Sequence, residues 1–235
     1  MLINCVGGIG DVLYCEPIYR HFFKKEGVKP IVIIHDHQMF LQDYIDSAEF
    51  RCASKYLDYK NNPMPNANYL PLRYANQVYR DLNIHDHSDF ENCMPDKYLL
   101  AGLDPELWLT LDIKFNSNKG ASLLTEYKIL DNPKFIIKNE YSQAGKIDIK
   151  LMNDMNYDII EMQSLPGYSV IDWFSMILCC QYYCTVSTST FFILQAIKNK
   201  YPTFNQMCYI YARPNEDGLR GISKLKPTFN LVRVQ

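Results

Sequence analysis

The sequence has no apolar run approaching the ~20 residues of a membrane-crossing helix, so no helical span is expected. It has no Cys-x-x-Cys pair either. The eight cysteines stand at 5, 15, 52, 93, 179, 180, 184 and 208, and Cys5, Cys179, Cys180 and Cys184 lie inside apolar runs. That usage fits buried thiols in a reducing compartment, not a disulfide framework, and the missing zinc-type spacing argues against a structural zinc. An excess of one charge is also lacking: 24 Lys and Arg face 26 Asp and Glu, for a net charge of −2. A global basic field of the kind that nucleic-acid binders carry is therefore excluded. A local cluster remains at Arg20, His21, Lys24 and Lys25, which also reads as the solvated face of one helix. No charged leader or cleavage site precedes the first apolar segment, so a signal peptide is not expected, and the expected location is the cytoplasm, or the host cytoplasm for a viral protein. No internal repeat is visible.

Aromatic residues are plentiful, with 18 Tyr and 12 Phe in 235 residues, enough for a sizeable core in one large domain or two small ones. Leu2–Val6 reads as a buried strand. Asp11–Lys25 reads as a helix with Val12, Cys15, Ile18, Tyr19, Phe22 and Phe23 on one face, bent or ended early at Pro17. Pro30–Ile34 has the continuous apolar character of a parallel strand buried on both faces. This β–α–β order is the strongest fold signal. Further on, the pattern predicts a helix near 39–47, a strand near 51–56, a loop at 61–66 and helices near 73–82 and 96–102. Polar residues gather between Phe115 and Asn132, which places a linker near 117–130. A second α/β unit follows, with strands near 134–138, 157–162, 182–187 and 207–211, helices near 169–180 and 188–199, and a last strand within 228–234.

The first strand runs into Gly7-Gly8-Ile9-Gly10-Asp11, a glycine turn that opens a helix. Gly7, Gly8 and Gly10 let the backbone approach a ligand or a packed neighbour closely. A carboxylate at the tip of such a turn repels phosphate. Asp11 therefore suits proton abstraction or a hydroxyl-bearing ligand better than a dinucleotide, unless it only caps the helix. A dinucleotide-dependent oxidoreductase is disfavoured further because Leu13 stands where the third glycine of the usual fingerprint would be. In the second unit, Ser187-Thr188-Ser189-Thr190 lies where a strand meets a helix. Hydroxyls, backbone N–H groups and the helix dipole converge there on an anion site, or on a plain Ser/Thr cap. Glu161 ends a strand and suits a ribose or base contact, or is a surface carboxylate. Arg213 follows another strand and suits bidentate contact with a diphosphate, with Arg220 a weaker candidate. Lys138, Asn139 and Tyr141 close the first strand of the second unit and face the same ligand. His35-Asp36-His37 ends the second strand, and His85-Asp86-His87 repeats the triplet. Acceptor contact, a metal site and an exposed loop are all open there, and no metal site is assigned.

Gly10, Asp11, Val12, Leu13, Pro17 and Arg20 fall on a pattern that resembles the opening of the heptosyltransferase-like glycosyltransferases, glycosyltransferase family nine and its relatives. Ser187, Thr188 and Ser189 lie on that family's diphosphate-holding run, with Phe192 where the family most often has His. The resemblance implies an α/β protein of two Rossmann-like α/β/α domains facing a cleft, the GT-B arrangement. Residues 1–116 would bind the acceptor, 131–235 the nucleotide-sugar, with the linker near 117–130. It implies an inverting transfer of a sugar from a nucleotide-diphosphate sugar, such as a UDP-sugar, to an acceptor hydroxyl, with no cofactor or metal required. Asp11 would be the general base. Ser187, Thr188, Ser189, Thr190, Arg213, Glu161, Lys138 and Tyr141 would hold the donor. Gly7, Gly8, Gly10, His35 and His37 would lie by the acceptor. The acceptor would be a saccharide or glycolipid, or a hydroxymethylated base in bacteriophage DNA. A non-catalytic nucleotide- or sugar-binding module that keeps the anion site is the alternative. The oligomeric state is left open.

Overall fold

A computed structural model of the chain describes residues 1–56, 65–83, 92–129, 134–142, 145–150, 157–186, 189–212 and 220–234. The chain divides into two units, one of Met1–Lys114 with Arg220–Leu225 and one of Phe115–Leu219 with Lys226–Gln235.

The first unit is built on β1 (Leu2–Asn4), β2 (Ile31–Ile34), β3 (Glu49–Cys52) and β4 (Tyr69–Leu70), in the order β3-β2-β1-β4. All three pairings are parallel. Ile3, Val32, Ile33 and Ile34 are buried, as the apolar runs require of strands covered on both faces. The chain passes from β1 to β2 and β3 on one side and then returns to the other side with β4. The order therefore reverses at β1.

Between β1 and β2 the helical segment is broken in two, α1 (Ile9–Tyr14) and α2 (Glu16–Glu26). The break falls at Cys15, not at Pro17, which sits in the first turn of α2 where its missing N–H removes no helical bond. Gly27 ends α2 in the left-handed conformation that favours glycine, with φ 70°. Glu16 anchors this region from inside. Its buried carboxylate accepts from Arg20 Nε at 3.0 Å and Nη2 at 3.2 Å, from the Ser47 hydroxyl at 3.1 Å and from the Asp112 N–H at 3.0 Å. Arg20 also donates to the Thr110 carbonyl at 2.5 Å, so this residue of the opening motif serves as a brace within the unit. The helix expected near 39–47 is a 3-10 helix at Asp36–Asp43, and the strand expected near 51–56 is β3. α3 (Ala75–Asp81) and α4 (Pro95–Leu100) lie close to their expected positions. The loop expected at 61–66 falls mostly outside the described residues. A short helix α8 (Arg220–Ser223) belongs to this unit, with Ile222 and Leu225 buried and Lys224 Nζ donating to Asn92 Oδ1 at 2.7 Å.

The second unit opens with α5 (Ser117–Glu126), in the stretch expected to be a linker. Its polar sequence hid a capped helix: Asn116 Oδ1 accepts from the Lys119 N–H at 3.1 Å, and Leu123 is fully buried. Gly120 lets α5 approach α6 (Phe174–Cys179), since a Cβ there would lie 2.1 Å from Ser175 Oγ. The sheet holds β5 (Phe135–Asn139), β8 (Asp158–Glu161), β9 (Tyr182–Val186), β10 (Met207–Tyr211) and β11 (Leu231–Val234), ordered β11-β10-β9-β5-β8 and parallel throughout. A small antiparallel hairpin, β6 (Tyr141–Ser142) with β7 (Gly145–Lys146), follows β5. The helix expected at 169–180 begins as a 3-10 turn at Val170–Trp173 and continues as α6. α7 (Thr190–Lys200) is almost wholly buried along its first two turns. Here the order reverses at β5, between β9 and β8. Among the described residues no helix is long and apolar enough to cross a membrane.

Candidate functional site

In open parallel α/β sheets, ligands bind beyond the carboxyl ends of the strands, where the strand order reverses. That point is the end of β1 in one unit and the end of β5 in the other. Each unit has a polar constellation at that place.

In the first unit β1 ends at Asn4, which is fully buried. Its amide donates to the hydroxyl of Tyr69, the first residue of β4, at 3.2 Å, and its Oδ1 accepts from the Val6 N–H at 3.3 Å. The glycine turn follows. Gly8 caps α1 in an extended conformation, and the Asp11 carboxylate reaches back so that Oδ2 accepts from the Gly8 N–H at 2.8 Å. Asp11 thus does cap the helix, from its first turn. Its Oδ1 accepts from Lys97 Nζ at 2.7 Å, with the Asp11 side chain 33% exposed and that of Lys97 only 7%. Burial alone would raise the Asp11 pKa, but the Lys97 charge and hydrogen bond and the Gly8 N–H outweigh it and hold the carboxyl below its ordinary range. Gly7 is needed for space and not for a special φ, since a Cβ there would lie 3.0 Å from Asp11 Cγ and Oδ2. Its carbonyl accepts from Gln38 Nε2 at 2.8 Å. Gly10 is the second residue of α1, in its first turn.

His35 follows β2, and its ring stacks on His37 with centroids 5.5 Å apart and planes 16° from parallel. Burial, His37 and Arg73 together lower the His35 pKa. Asp36 binds the Ser54 N–H and hydroxyl, which fixes the triplet in the 3-10 turn. Among the described residues no group of three or more His, Cys, Asp or Glu is placed to hold a metal ion. His85, Asp86 and His87 lie outside the described residues.

In the second unit Ser187, Thr188 and Arg213 lie outside the described residues. Ser189 caps α7 through its backbone and makes no side-chain cap bond. Thr190, expected to offer its hydroxyl to a donor, is 1% exposed, and that hydroxyl is 3.0 Å from the Thr185 hydroxyl. Asn139 likewise turns inward, its amide donating to Thr185 Oγ1 at 3.1 Å. These three side chains fasten β5, β9 and the start of α7 together. Phe192 is buried and edge-on to Phe191. Lys138 is not a free cation: Nζ lies 2.9 Å from Glu140 and 3.6 Å from Glu161. The Glu161 contact follows from register, since Lys138 pairs with Glu161 across β5 and β8. Glu161 is 54% exposed. Tyr141 is half exposed, with Lys146 Nζ 5.8 Å from its ring centre.

Lys97, Gln38 and Glu140 were not singled out from the sequence. Lys97 and Gln38 reach the glycine turn from segments far along the chain. The only sequence hint is a charged or amide residue on the buried side of a short helix.

No protein-family model and no curated protein sequence matches the chain. Among solved structures it is similar to E. coli ADP-heptose LPS heptosyltransferase II, with a TM-score of 0.52 and 9% identity over 100% of this chain and 90% of that one. It is similar to E. coli heptosyltransferase WaaC with ADP, with a TM-score of 0.50 and 11% identity over 100% and 90%. A glycosyltransferase of family 9 from Veillonella parvula DSM 2008 gives 0.50 and 9% identity over 99% and 85%. At such identities the likeness is one of fold. The chain is a mixed α/β protein of two parallel sheets whose architecture matches these GT-B glycosyltransferases.

Proposed function

We propose that the chain is a glycosyltransferase that moves a sugar from a nucleotide-diphosphate sugar to an acceptor hydroxyl with inversion. The observation that carries this reading is Asp11, an ionised and partly exposed carboxylate in the first turn of α1, beyond the end of β1 where the strand order reverses. The acceptor hydroxyl gives its proton to the free edge of Asp11 as its oxygen attacks the anomeric carbon. The bond from that carbon to the diphosphate breaks in the same displacement. The N–H groups at the start of α7, with Ser187, Thr188 and Arg213, receive the charge that develops on the leaving group. These groups take the part that a metal ion plays elsewhere, and no cofactor is needed. Glu161 and Tyr141 take up the ribose or base, with Lys138 poised between its two carboxylates. His35 and His37 line the acceptor side, and residues 1–116 and 131–235 divide acceptor and donor binding. WaaC in its ADP complex supports an adenine or related nucleotide as the donor's leaving part. The acceptor is a saccharide, a glycolipid or a hydroxymethylated base in phage DNA.

The bond between Asp11 and the Gly8 N–H favours a second reading, a nucleotide- or sugar-binding module in which Asp11 only caps α1. Asp11→Asn separates the two. Its single carbonyl oxygen keeps the cap while Lys97 loses its counterion, so the variant is less stable but, once shown to be folded, keeps donor affinity, and transfer from a panel of nucleotide-sugars should fall by at least ~10²-fold, the usual scale for losing a general base. Transfer at the wild-type rate would remove Asp11 from the chemistry.

A further inference from the structure

We propose that Lys97 is the positioning residue for Asp11: from α4 it grips one carboxylate oxygen and keeps the group ionised, leaving a single open edge for the incoming proton. This rests on the reading of Asp11 as the base.

The geometry is a two-point hold. The Gly8 N–H fixes Oδ2 at 2.8 Å, and Lys97 Nζ fixes Oδ1 at 2.7 Å. Gly7 leaves just enough room for the carboxyl group between them. The carboxylate therefore cannot turn about its Cβ–Cγ bond without losing both partners. Lys97 is nearly buried, and among the described residues Asp11 is the only carboxylate at salt-bridge distance from it. An ammonium so deep is strongly disfavoured without a counterion, so each charge holds the other in place. The titratable groups that face the pair are the thiols of Cys5, after β1, and Cys15, between α1 and α2, with the Tyr19 hydroxyl of α2 beside them. None of these carries a positive charge, so Lys97, with the Gly8 N–H beside it, supplies the main offset to the burial that would otherwise protonate Asp11. Burial by itself would lower the Lys97 pKa, and the Asp11 carboxylate reverses this and raises it. A brace that only joined α4 to the glycine turn would leave the pH profile of transfer unmoved, whereas a residue that sets the proton affinity of the base shifts that profile.

The test is a carbon-13 NMR titration of the Asp11 carboxyl in the full chain, assigned by its loss in Asp11→Asn. In the wild type it titrates below the ordinary aspartate range. Lys97→Arg keeps it low, and Lys97→Met raises it above that range, because burial then acts unopposed. Transfer by Lys97→Met then weakens toward acid pH, where the wild type still works, and recovers as the pH rises. Should Lys97→Met fail to fold, the pair is read from the other side: Asp11→Asn lowers the pKa of the Lys97 ammonium. An Asp11 titration that ignores Lys97→Met, or a Lys97 titration that ignores Asp11→Asn, overturns the proposal. If the titrations move as expected while Asp11→Asn still transfers sugar, the ion pair stands and the base assignment falls. If Asp11→Asn is inactive while Lys97→Met changes neither titration nor pH profile, the base stands and the positioning role falls.

Discussion

Asn139 donates its side-chain amide to the Thr185 hydroxyl across 3.1 Å, so the two strands at which the second sheet reverses are tied at their ends by side chains as well as by the backbone. Thr185 is the hub. Its hydroxyl also lies 3.0 Å from that of Thr190, the first residue of α7. The crevice end of the sheet and the helix that follows it are thus held in register by a fully buried polar chain.

Thr185→Val keeps the shape and deletes the hub. Removing one partner of a buried hydrogen bond costs about 1–3 kcal/mol, so the urea midpoint should fall accordingly with an unchanged slope. On the proposed function, nucleoside-diphosphate affinity should fall as well, because the first turn of α7 loses its anchor. A variant as stable as the wild type would show that the strand ends need no side-chain tie.

Glu140 makes the second unit sensitive to acid. Its side chain is 4% exposed and meets Lys138, Lys146 and the Ile149 N–H at 2.9, 3.2 and 3.0 Å. Burial would raise its pKa, but these partners outweigh burial and bring it from 4.5 down to about 2. The unfolded chain therefore binds a proton that the folded one refuses between those values. Stability present above pH 4.5 is lost as pH falls toward 2, by on the order of 3 kcal/mol from this group. Denaturant titrations at pH 6 and pH 3 should differ by about 2 kcal/mol more in the wild type than in Glu140→Gln, since pH 3 still lies above the folded value.

Glu16 is a mechanical brace in the first unit, holding α2, the loop at Ser47 and the segment at Asp112, although burial raises its own pKa. Glu16→Ala leaves Arg20 half-buried without its carboxylate and opens a cavity. Breaking a buried pair on one side costs about 3–5 kcal/mol, enough to lower the thermal midpoint by many degrees. A change under 1 kcal/mol in calorimetry would mean that Thr110 alone suffices for Arg20.

The strands were legible because their apolar runs are continuous, Pro30–Ile34 being the plainest, and because turns and polar segments separate them. What failed was local. The polar stretch 117–130 contains α5, since Asn116 supplies the cap and Gly120 the close approach that composition does not announce. Asp11 stood out because an acid on a glycine turn is out of place for phosphate. Its partner did not, because Lys97 lies 86 positions along the chain and nothing in a single sequence links the two. Thr190 and Asn139 looked like ligand contacts because a hydroxyl or amide at a strand end suits either a ligand or a neighbour. Only packing decides between them, and here it chose the neighbour.

Gly7→Ala tests how closely the turn is fitted to Asp11. Gly7 has no positive φ, so the substitution carries no left-handed backbone penalty, and the atoms nearest the added methyl are those of the Asp11 side chain, Cγ and Oδ2 at 3.0 Å and Cβ at 3.1 Å. The backbone there is also held by the bond from Gln38 to the Gly7 carbonyl, which leaves the carboxylate as the part that yields. To make room it must move by a few tenths of an ångström or turn away from Lys97. The cost to folding is modest, about 1–3 kcal/mol for overpacking, because one edge of Asp11 opens to solvent. The cost to turnover is larger if Asp11 is the base, since misplacing a reacting group by ~1 Å costs about 10²-fold. Gly7→Ala should therefore keep a cooperative unfolding transition and full nucleoside-diphosphate affinity while kcat falls steeply. If kcat and stability decline in proportion, the methyl is acting on the fold as a whole, and the fit between Gly7 and Asp11 has no part in catalysis.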